Sequence, residues 1–448
     1  METSAKNPYE AAASVVHTLR QHGHQAYFVG GCVRDTLLGR EPADYDVATD
    51  ATPDRVMEIF PRTFAVGAQF GVVLVAFDPL AAGEKEICIE VATFRADVSY
   101  SDGRHPDAVR FSRSVREDVE RRDFTINGMM LEPESQRVLD FVRGQADLAA
   151  GVIRTIGDPE RRFSEDKLRL LRAVRFAARL GYTIDPETFA AMRSLAPQIT
   201  QVSHERVRDE LLKMLTEGRA RAAFELLDRS GLLTYVLPEV AAMKGVEQPP
   251  QYHPEGDVWT HTLMMLEGLE TGSDKALALG VLLHDVGKPP TFERAPDRIR
   301  FNGHAEIGAA MAAHICRRLR LSNEETEQVV ALVANHMRFG DVEKMKESTL
   351  KRFLRLPLFD QHLRLHYLDC SNSHGNLELY DFAKAKFENT PEAEVRPIPL
   401  LTGDDLIAAG YKPGPQFKDM LALAEDAQLE GRIHSRAQAM QLIRERFN

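Results

Sequence analysis

Asp44 and Asp46 stand two residues apart in a short apolar run, downstream of the segment Gly30-Gly31-Cys-Val-Arg34-Asp35. Side chains alternate along a strand, so carboxylates at i and i+2 point to one side. At a strand end such a pair suits Mg²⁺, which takes a few carboxylates, waters and phosphate oxygens in octahedral geometry. Two such ions can activate a 3′-hydroxyl and stabilise a leaving pyrophosphate in an in-line displacement. Glu90, inside the apolar stretch Ile89-Glu-Val, is the candidate third carboxylate. Gly30 and Gly31 let the backbone approach a triphosphate, and Arg34 offers it a guanidinium.

A second constellation reads Glu165-Asp166-Lys-Leu-Arg169-Leu-Leu-Arg172-Ala-Val-Arg175. The spacing predicts one helix from Arg161 to Leu180, stopped by Gly181. Glu165 and Arg169 are four apart, and Asp166, Arg169, Arg172 and Arg175 step by three along one face. Carboxylate acceptors and planar guanidinium donors match the Watson–Crick edge of a base, and Arg also stacks on one. An enzyme that chooses nucleotides without a template needs such a row.

The third constellation is rich in histidine. His261, His284-Asp285 and Asp369 fit the H…HD…D pattern of HD-type metal phosphohydrolases, with His304 and His336 to complete a second ion's ligands. Imidazole and carboxylate suit Mn, Fe, Ni or Mg-like sites. A water held between two metals can attack a phosphoester.

The elements that must position these groups are legible in outline. Residues 8–22 read as an amphipathic helix, Ala26–Gly30 as a strand running into a turn, and Tyr45–Ala48 as a short strand. Thr52-Pro53 opens a helix, and Gly71–Phe77 and Ile87–Thr93 are strands. This predicts a compact α/β head ending near residue 150. Beyond it the pattern is helical, with a Pro/Gly-rich boundary at 248–256 and a loop-like stretch at 397–414. The hydrophobic fraction of 44% and charged fraction of 27% are those of a globular chain. No apolar run reaches the roughly 18 residues of a membrane helix, so no membrane is expected. The start carries no apolar signal core, and Cys32, Cys88, Cys316 and Cys370 are scattered, which predicts a reducing, cytoplasmic setting. A net charge of −11 argues against wholesale phosphate binding, yet residues 104–175 hold fourteen Arg and one Lys against thirteen carboxylates, which permits a basic face.

These residues resemble the class II tRNA nucleotidyltransferases, the CCA-adding enzymes, and the related bacterial poly(A) polymerases. Gly30–Asp35 with Asp44-x-Asp46 is similar to the catalytic motif. Arg121-Arg122-Asp123-Phe-Thr-Ile-Asn127 is similar to the motif tied to ribose and triphosphate recognition, which implies roles for Arg122, Asp123 and Asn127. Asp140–Gly157 resembles a head–neck hinge, Glu165-Asp166-x-x-Arg169-x-x-Arg172 the amino-acid template for CTP or ATP, and Ser203-His-Glu-Arg206 a neck-steadying motif. Asp97–Phe111 resembles the flexible loop of the switch from C to A addition.

The resemblance implies an α+β fold: a polymerase-β-like catalytic head at 1–150, and a helical neck for nucleotide selection and RNA binding at 151–247. An HD metal-binding body at 248–395 and a helical tail at 396–448 follow. It implies tRNA, CTP and ATP as partners, Mg²⁺ in the head, and a divalent transition metal or Mg²⁺ in the HD site. Three activities stay open: CCA addition, A-only or poly(A) addition, and chiefly HD phosphodiester hydrolysis. Gly67–Val75 lacks the basic residues usual in poly(A) polymerases, which favours CCA addition. For the HD block, either hydrolysis or an inherited scaffold that only holds tRNA is open.

Overall fold

The computed structural model describes residues 7–67, 71–78, 86–97, 109–251, 253–254 and 256–447. The chain divides into two compact units, residues 1–238 and 239–448. In the first, α1 (Pro8–Gln21) starts where the Asn7 side chain accepts the Glu10 N–H and Pro8 occupies the first turn. The strands are β1 (Ala26–Val29), β2 (Asp46–Thr49), β3 (Thr63–Gly67), β4 (Val72–Phe77), β5 (Ile87–Thr93), β6 (Arg95–Asp97), β7 (Val109–Phe111), β8 (Met129–Glu132) and β9 (Arg137–Asp140). Among the described residues, seven form one sheet in the order β3-β4-β5-β2-β1-β8-β9. Only β2–β5 is a parallel pair in that sheet. The helix after β2, α3 (Pro53–Ile59), is capped by the Thr52 side chain as its sequence predicts. Val29, Ala48, Phe94, Val115, Val119 and Met130 pack beneath the sheet centre. The segment 97–111 leaves the pair β6–β7, and its residues 98–108 lie outside the described residues, as do residues 68–70 of the Gly67–Val75 stretch.

α2 (Gly31–Leu37), α4 (Val115–Glu120) and α5 (Gly144–Ala150) complete the head. The single helix expected over 161–180 is two helices, α6 (Pro159–Glu165) and α7 (Leu168–Leu180). Asp166 is extended (φ −147°, ψ 106°), and its carboxylate accepts the Leu168 N–H at 3.1 Å, restarting the helix. The amphipathic period runs on through the break, so spacing alone hides it. Gly181 ends α7 in the left-handed region (φ +72°), as expected. α9 (His204–Thr216) and α10 (Ala220–Arg229) pack against α7, and α8 (Pro186–Leu195) packs against α6.

Arg175 lies inside this helical packing. It is 6% exposed, and its Nε donates to Glu210, itself 3% exposed, at 2.7 Å. The buried neighbour, not the helical face, decides its direction. Arg175→Met strands the Glu210 carboxylate and is expected to destabilise the protein by about 3–5 kcal/mol, the usual cost of breaking a buried pair. Denaturant unfolding reads this. A loss under about 1 kcal/mol combined with weakened nucleotide binding would return Arg175 to the nucleotide site.

The second unit is helical, and its expected metal ligands come from helices Val258–Glu267, His304–Arg318 and Phe359–Ser371, from the start of the 3-10 helix His336–Lys344, and from just beyond the end of Lys275–Leu283. A small hairpin, Glu293–Arg294 with Ile299–Arg300, interrupts it. The stretch 397–414, read as loop, contains the helix Gly403–Ala408, started by a reciprocal capping box between Thr402 and Asp405. Among the described residues no helix is long and apolar enough to cross a membrane.

Candidate active site and metal centre

The head site is built on the register of β1, β2 and β5. Val47 pairs with Val91, which sets Asp46 beside Glu90, and Val29 pairs with Asp46, which brings the Gly30 turn alongside. Gly30 adopts φ +79°, ψ −133°, open to glycine, and a Cβ there would lie 3.9 Å from Asp46 Oδ2. Burial, then Glu90 and Asp44, push the Asp46 carboxyl up to about 7, with Arg122 opposing. Burial and then Asp44 raise Glu90 as well, again against Arg122, although Glu90 stands on the open face of β5. Asp44 is exposed, just before β2. Three mutually repelling carboxylates beside one arginine fit a hard cation such as Mg²⁺.

The basic residues divide into those that face this cleft and those already committed. Arg34 is 3% exposed. Its Nε and Nη2 hold the Asp35 carboxylate at 2.8 and 2.9 Å, and its Nη1 donates to Asn127 Oδ1 at 2.9 Å. Its guanidinium is therefore not the free triphosphate ligand that its position in sequence suggests. The adjacent carboxylate neutralises it first. Arg122 is the arginine that acts on Asp46 and Glu90.

Asp118, which sequence reasoning missed, holds Arg122 from Oδ2 (2.9 Å) and Arg121 from Oδ1 (2.6 Å). Burial opposes its ionisation, but Arg122 and Arg121 keep its carboxyl below the ordinary range. Its spacing of three and four before that Arg pair on a helix was a readable signal. Asp123, also buried, accepts from Arg172 Nε at 2.8 Å and from the Phe124 N–H, with Asn127 Nδ2 at 3.4 Å.

The expected base-reading row is divided by the helix break. Glu165 and Arg169 pair at 2.8 Å as their spacing predicts. Asp166 is instead gripped by both ends of the Arg206 fork at 3.1 and 2.8 Å. Arg172 reaches Asp123, and Arg175 faces Glu210, so the four groups do not form one continuous face.

In the second unit the structure brings the six expected ligands together. His284 Nδ1 lies 2.8 Å from the Val281 carbonyl, His304 Nδ1 2.9 Å from Phe301 O, and His336 Nδ1 2.7 Å from Val333 O. A carbonyl only accepts, so each Nδ1 carries the proton and each neutral ring presents a lone pair at Nε2. Those lone pairs converge. His284 Nε2 is 3.1 Å from Asp285 Oδ2, and His304 Nε2 and His336 Nε2 are 3.3 Å apart, each 3.7 Å from Asp285 Oδ1. Acceptors so close suit a cation held between them. His261, His284 and Asp285 form one possible ion-holding group and Asp285, His304 and His336 another, with Asp285 shared. Asp369 contacts His261 at 3.1 Å.

Burial drives His336 down to about 4, which keeps it unprotonated at neutral pH. Lys288, also missed, sits 2.7 Å from Asp285 and donates to Gln248 Oε1 at 2.6 Å. The cluster opens into a cavity of about 450 Å³ whose wall includes Lys288, Arg298, Arg300 and Phe301.

The family model described as "Poly A polymerase head domain" matches residues 26–154. Residues 26–154 are thus similar to a poly A polymerase head. That head is followed by a match to "Probable RNA and SrmB-binding site of polymerase A" at 181–244 and to the HD domain at 257–366. CCA-adding enzymes of Geobacillus sp. (strain WCH70) and Levilactobacillus brevis are each 44% identical, over 52% and 51% of this chain and 55% of each relative. The chain thus spans about half the length of the curated relatives it matches. The crystal structure of a Bacillus stearothermophilus CCA-adding enzyme in complex with CTP superposes with a TM-score of 0.73 at 26% identity, covering 99% of both chains. A Thermotoga maritima CCA-adding enzyme complexed with tRNA shares the fold at a TM-score of 0.60 and 17% identity, over 98% of this chain and 95% of that one. The expected α+β architecture, a polymerase head followed by helical and HD regions, is the one observed.

Proposed function

We propose that the chain adds CCA to the 3′ end of tRNA without a template, using CTP and ATP. The observation that carries this reading is the carboxylate cluster of Asp44, Asp46 and Glu90 beside Arg122 on a poly A polymerase head. Relatives named CCA-adding enzymes and one solved with CTP support the substrate assignment. In this reading Asp44 and Asp46 hold Mg²⁺, with Glu90 beside them. The ions supply a polarised 3′-hydroxyl and charge stabilisation for the leaving pyrophosphate. Gly30 and Gly31 leave room for the triphosphate, Arg122 draws in its charge, and Asp123 with Asn127 and Arg172 shapes the ribose side. Glu165, Asp166 and Arg169 read the base once Asp166 and Arg169 exchange their present partners for its edge. Residues 1–150 are catalytic, 151–247 select the nucleotide and bind RNA, 248–395 hold the HD metals, and 396–448 form the tail.

Three tRNA transcripts, ending before CCA, after C and after CC, test this with Mg²⁺ and labelled CTP or ATP. Addition of two C and one A, then arrest, is expected. A single A on the CC-ended transcript alone would make it an A-adding enzyme, and long A ladders on any RNA a poly(A) polymerase.

A second activity, phosphoester hydrolysis in the HD region, is supported by the converging Nε2 lone pairs around Asp285. It predicts cleavage that survives Asp44→Ala and is lost in Asp285→Ala.

A further inference from the structure

We propose that Arg162 is a positioning residue that ties base selection to triphosphate binding; this rests on the nucleotidyltransferase reading above. Nothing in its sequence position singled it out. Its side chain is 11% exposed and bonds to three parts of the first unit. Nε donates to the Ile156 carbonyl at 3.0 Å, next to the last residue of the hinge motif. Nη2 donates to Glu120 O at 2.6 Å and Nη1 to Arg121 O at 3.0 Å. Nη1 also donates to Glu165 Oε2 at 2.8 Å.

Glu120 and Arg121 end α4, where the last carbonyls of a helix have no partner within it. A guanidinium spanning two of them satisfies both and meets the negative end of the helix dipole. The next residue is Arg122, whose charge acts on Asp46 and Glu90. Arg162 therefore fixes the backbone from which Arg122 reaches the carboxylates, while Asp118 fixes its side chain.

Arg169 converges on the same acceptors. Its Nη1 donates to Glu165 Oε2 at 2.8 Å and to Arg162 O at 2.8 Å, and its Nη2 to Arg121 O at 3.2 Å. One carboxylate oxygen and one carbonyl are thus shared by the residue that grips the head and the residue assigned to the base. When Arg169 turns to a base edge, it gives up part of its hold on Arg121 and Glu165, and Arg162 takes the load. A matched base draws Arg169 to its edge while Arg162 keeps the frame closed. A mismatched base leaves Arg169 on its present acceptors, so loss of Arg162 falls on the matched nucleotide. Arg162 touches neither base nor phosphate, so its effect is on discrimination.

The test measures kcat and KM for CTP, ATP, UTP and GTP on a transcript lacking CCA, with thermal melts, for wild type, Arg162→Ala and Arg162→Lys. A lysine keeps the cation and one bond direction but cannot bridge the carbonyls. The expected result is a fall of tenfold or more in the CTP-over-UTP ratio of kcat/KM in both variants, with Arg162→Lys melting closer to wild type. An equal loss for all four nucleotides, or an unchanged ratio in a folded Arg162→Lys, overturns the proposal and leaves Arg162 a helix cap. Absence of incorporation by the wild type would overturn the nucleotidyltransferase reading itself, and this one with it.

Discussion

Asp46→Asn removes nucleotide incorporation, by a factor of about 10³ or more in kcat/KM, while raising the thermal stability of the metal-free protein. The first effect follows from charge. An amide is a weak, neutral ligand, and an ion held by Asp44 and Glu90 alone loses the carboxylate nearest the Gly30 turn. Removing one preorganised electrostatic group at the reacting centre costs about 10²–10³ in comparable sites, and a metal ligand more. The second effect follows from linkage. The Asp46 carboxyl is raised from 3.8 to about 7, by burial first and by Glu90 and Asp44 next. The folded chain binds this proton more tightly than the unfolded one, so the associated stability is complete below about pH 4 and is lost as pH rises through about 7. Asparagine carries no such charge. In EDTA, the melting temperature of the variant should exceed that of wild type by a margin that grows from pH 4 to pH 8. Mg²⁺ should restore wild type and leave the variant unmoved. Robust incorporation by Asp46→Asn, or a variant less stable than wild type at pH 8 without metal, would sink the assignment of this cluster.

The same cluster shows what a sequence discloses and what it hides. Asp44 and Asp46 were legible because strand alternation acts over two residues. Glu90 was legible only as a carboxylate in an apolar strand. Its place beside Asp46 depends on the parallel register of Val47 with Val91, which no local pattern encodes. The six candidate HD ligands, which the fold gathers, were legible by residue type and order, since few roles other than metal binding gather four His and two Asp.

Directions failed where a partner is distant or overlooked. Glu210 claims Arg175 from 35 residues away, and Arg206 claims Asp166 from 40. Asp35 claims Arg34 from the next position, a neutralisation that adjacency alone could have signalled. The break between α6 and α7 escaped because a helix can restart in phase, keeping its apolar stripe. Arg162 escaped because its work is done on backbone carbonyls, and a carbonyl leaves no trace in residue type.

Asp285→Ala should empty the HD centre of metal and weaken the fold at once. Asp285 is 2% exposed and shared by both donor groups, so its loss removes an anionic ligand from each. After loading with Mn²⁺ and desalting, bound metal measured by mass spectrometry should fall to background. His261→Ala and His304→Ala should each lose ions from only one group, because His261 belongs to the first and His304 to the second.

The stability effect has a separate cause. Lys288, 6% exposed, has the Asp285 carboxylate at 2.7 Å and, among the described residues, only the neutral Gln248 amide oxygen as another close hydrogen-bonding partner. Without Asp285 its ammonium is buried beside a neutral group, a cost of about 3–5 kcal/mol for a broken buried pair. The double variant Asp285→Ala/Lys288→Met should recover much of that stability, since the stranded charge is gone, and recover none of the metal. Stability measured in EDTA separates the two effects, because ion binding then adds nothing to the folded state. Metal retained in Asp285→Ala would place the ions elsewhere. A double variant no more stable than the single one would mean that Asp285 stabilises the fold through the histidines and not through Lys288.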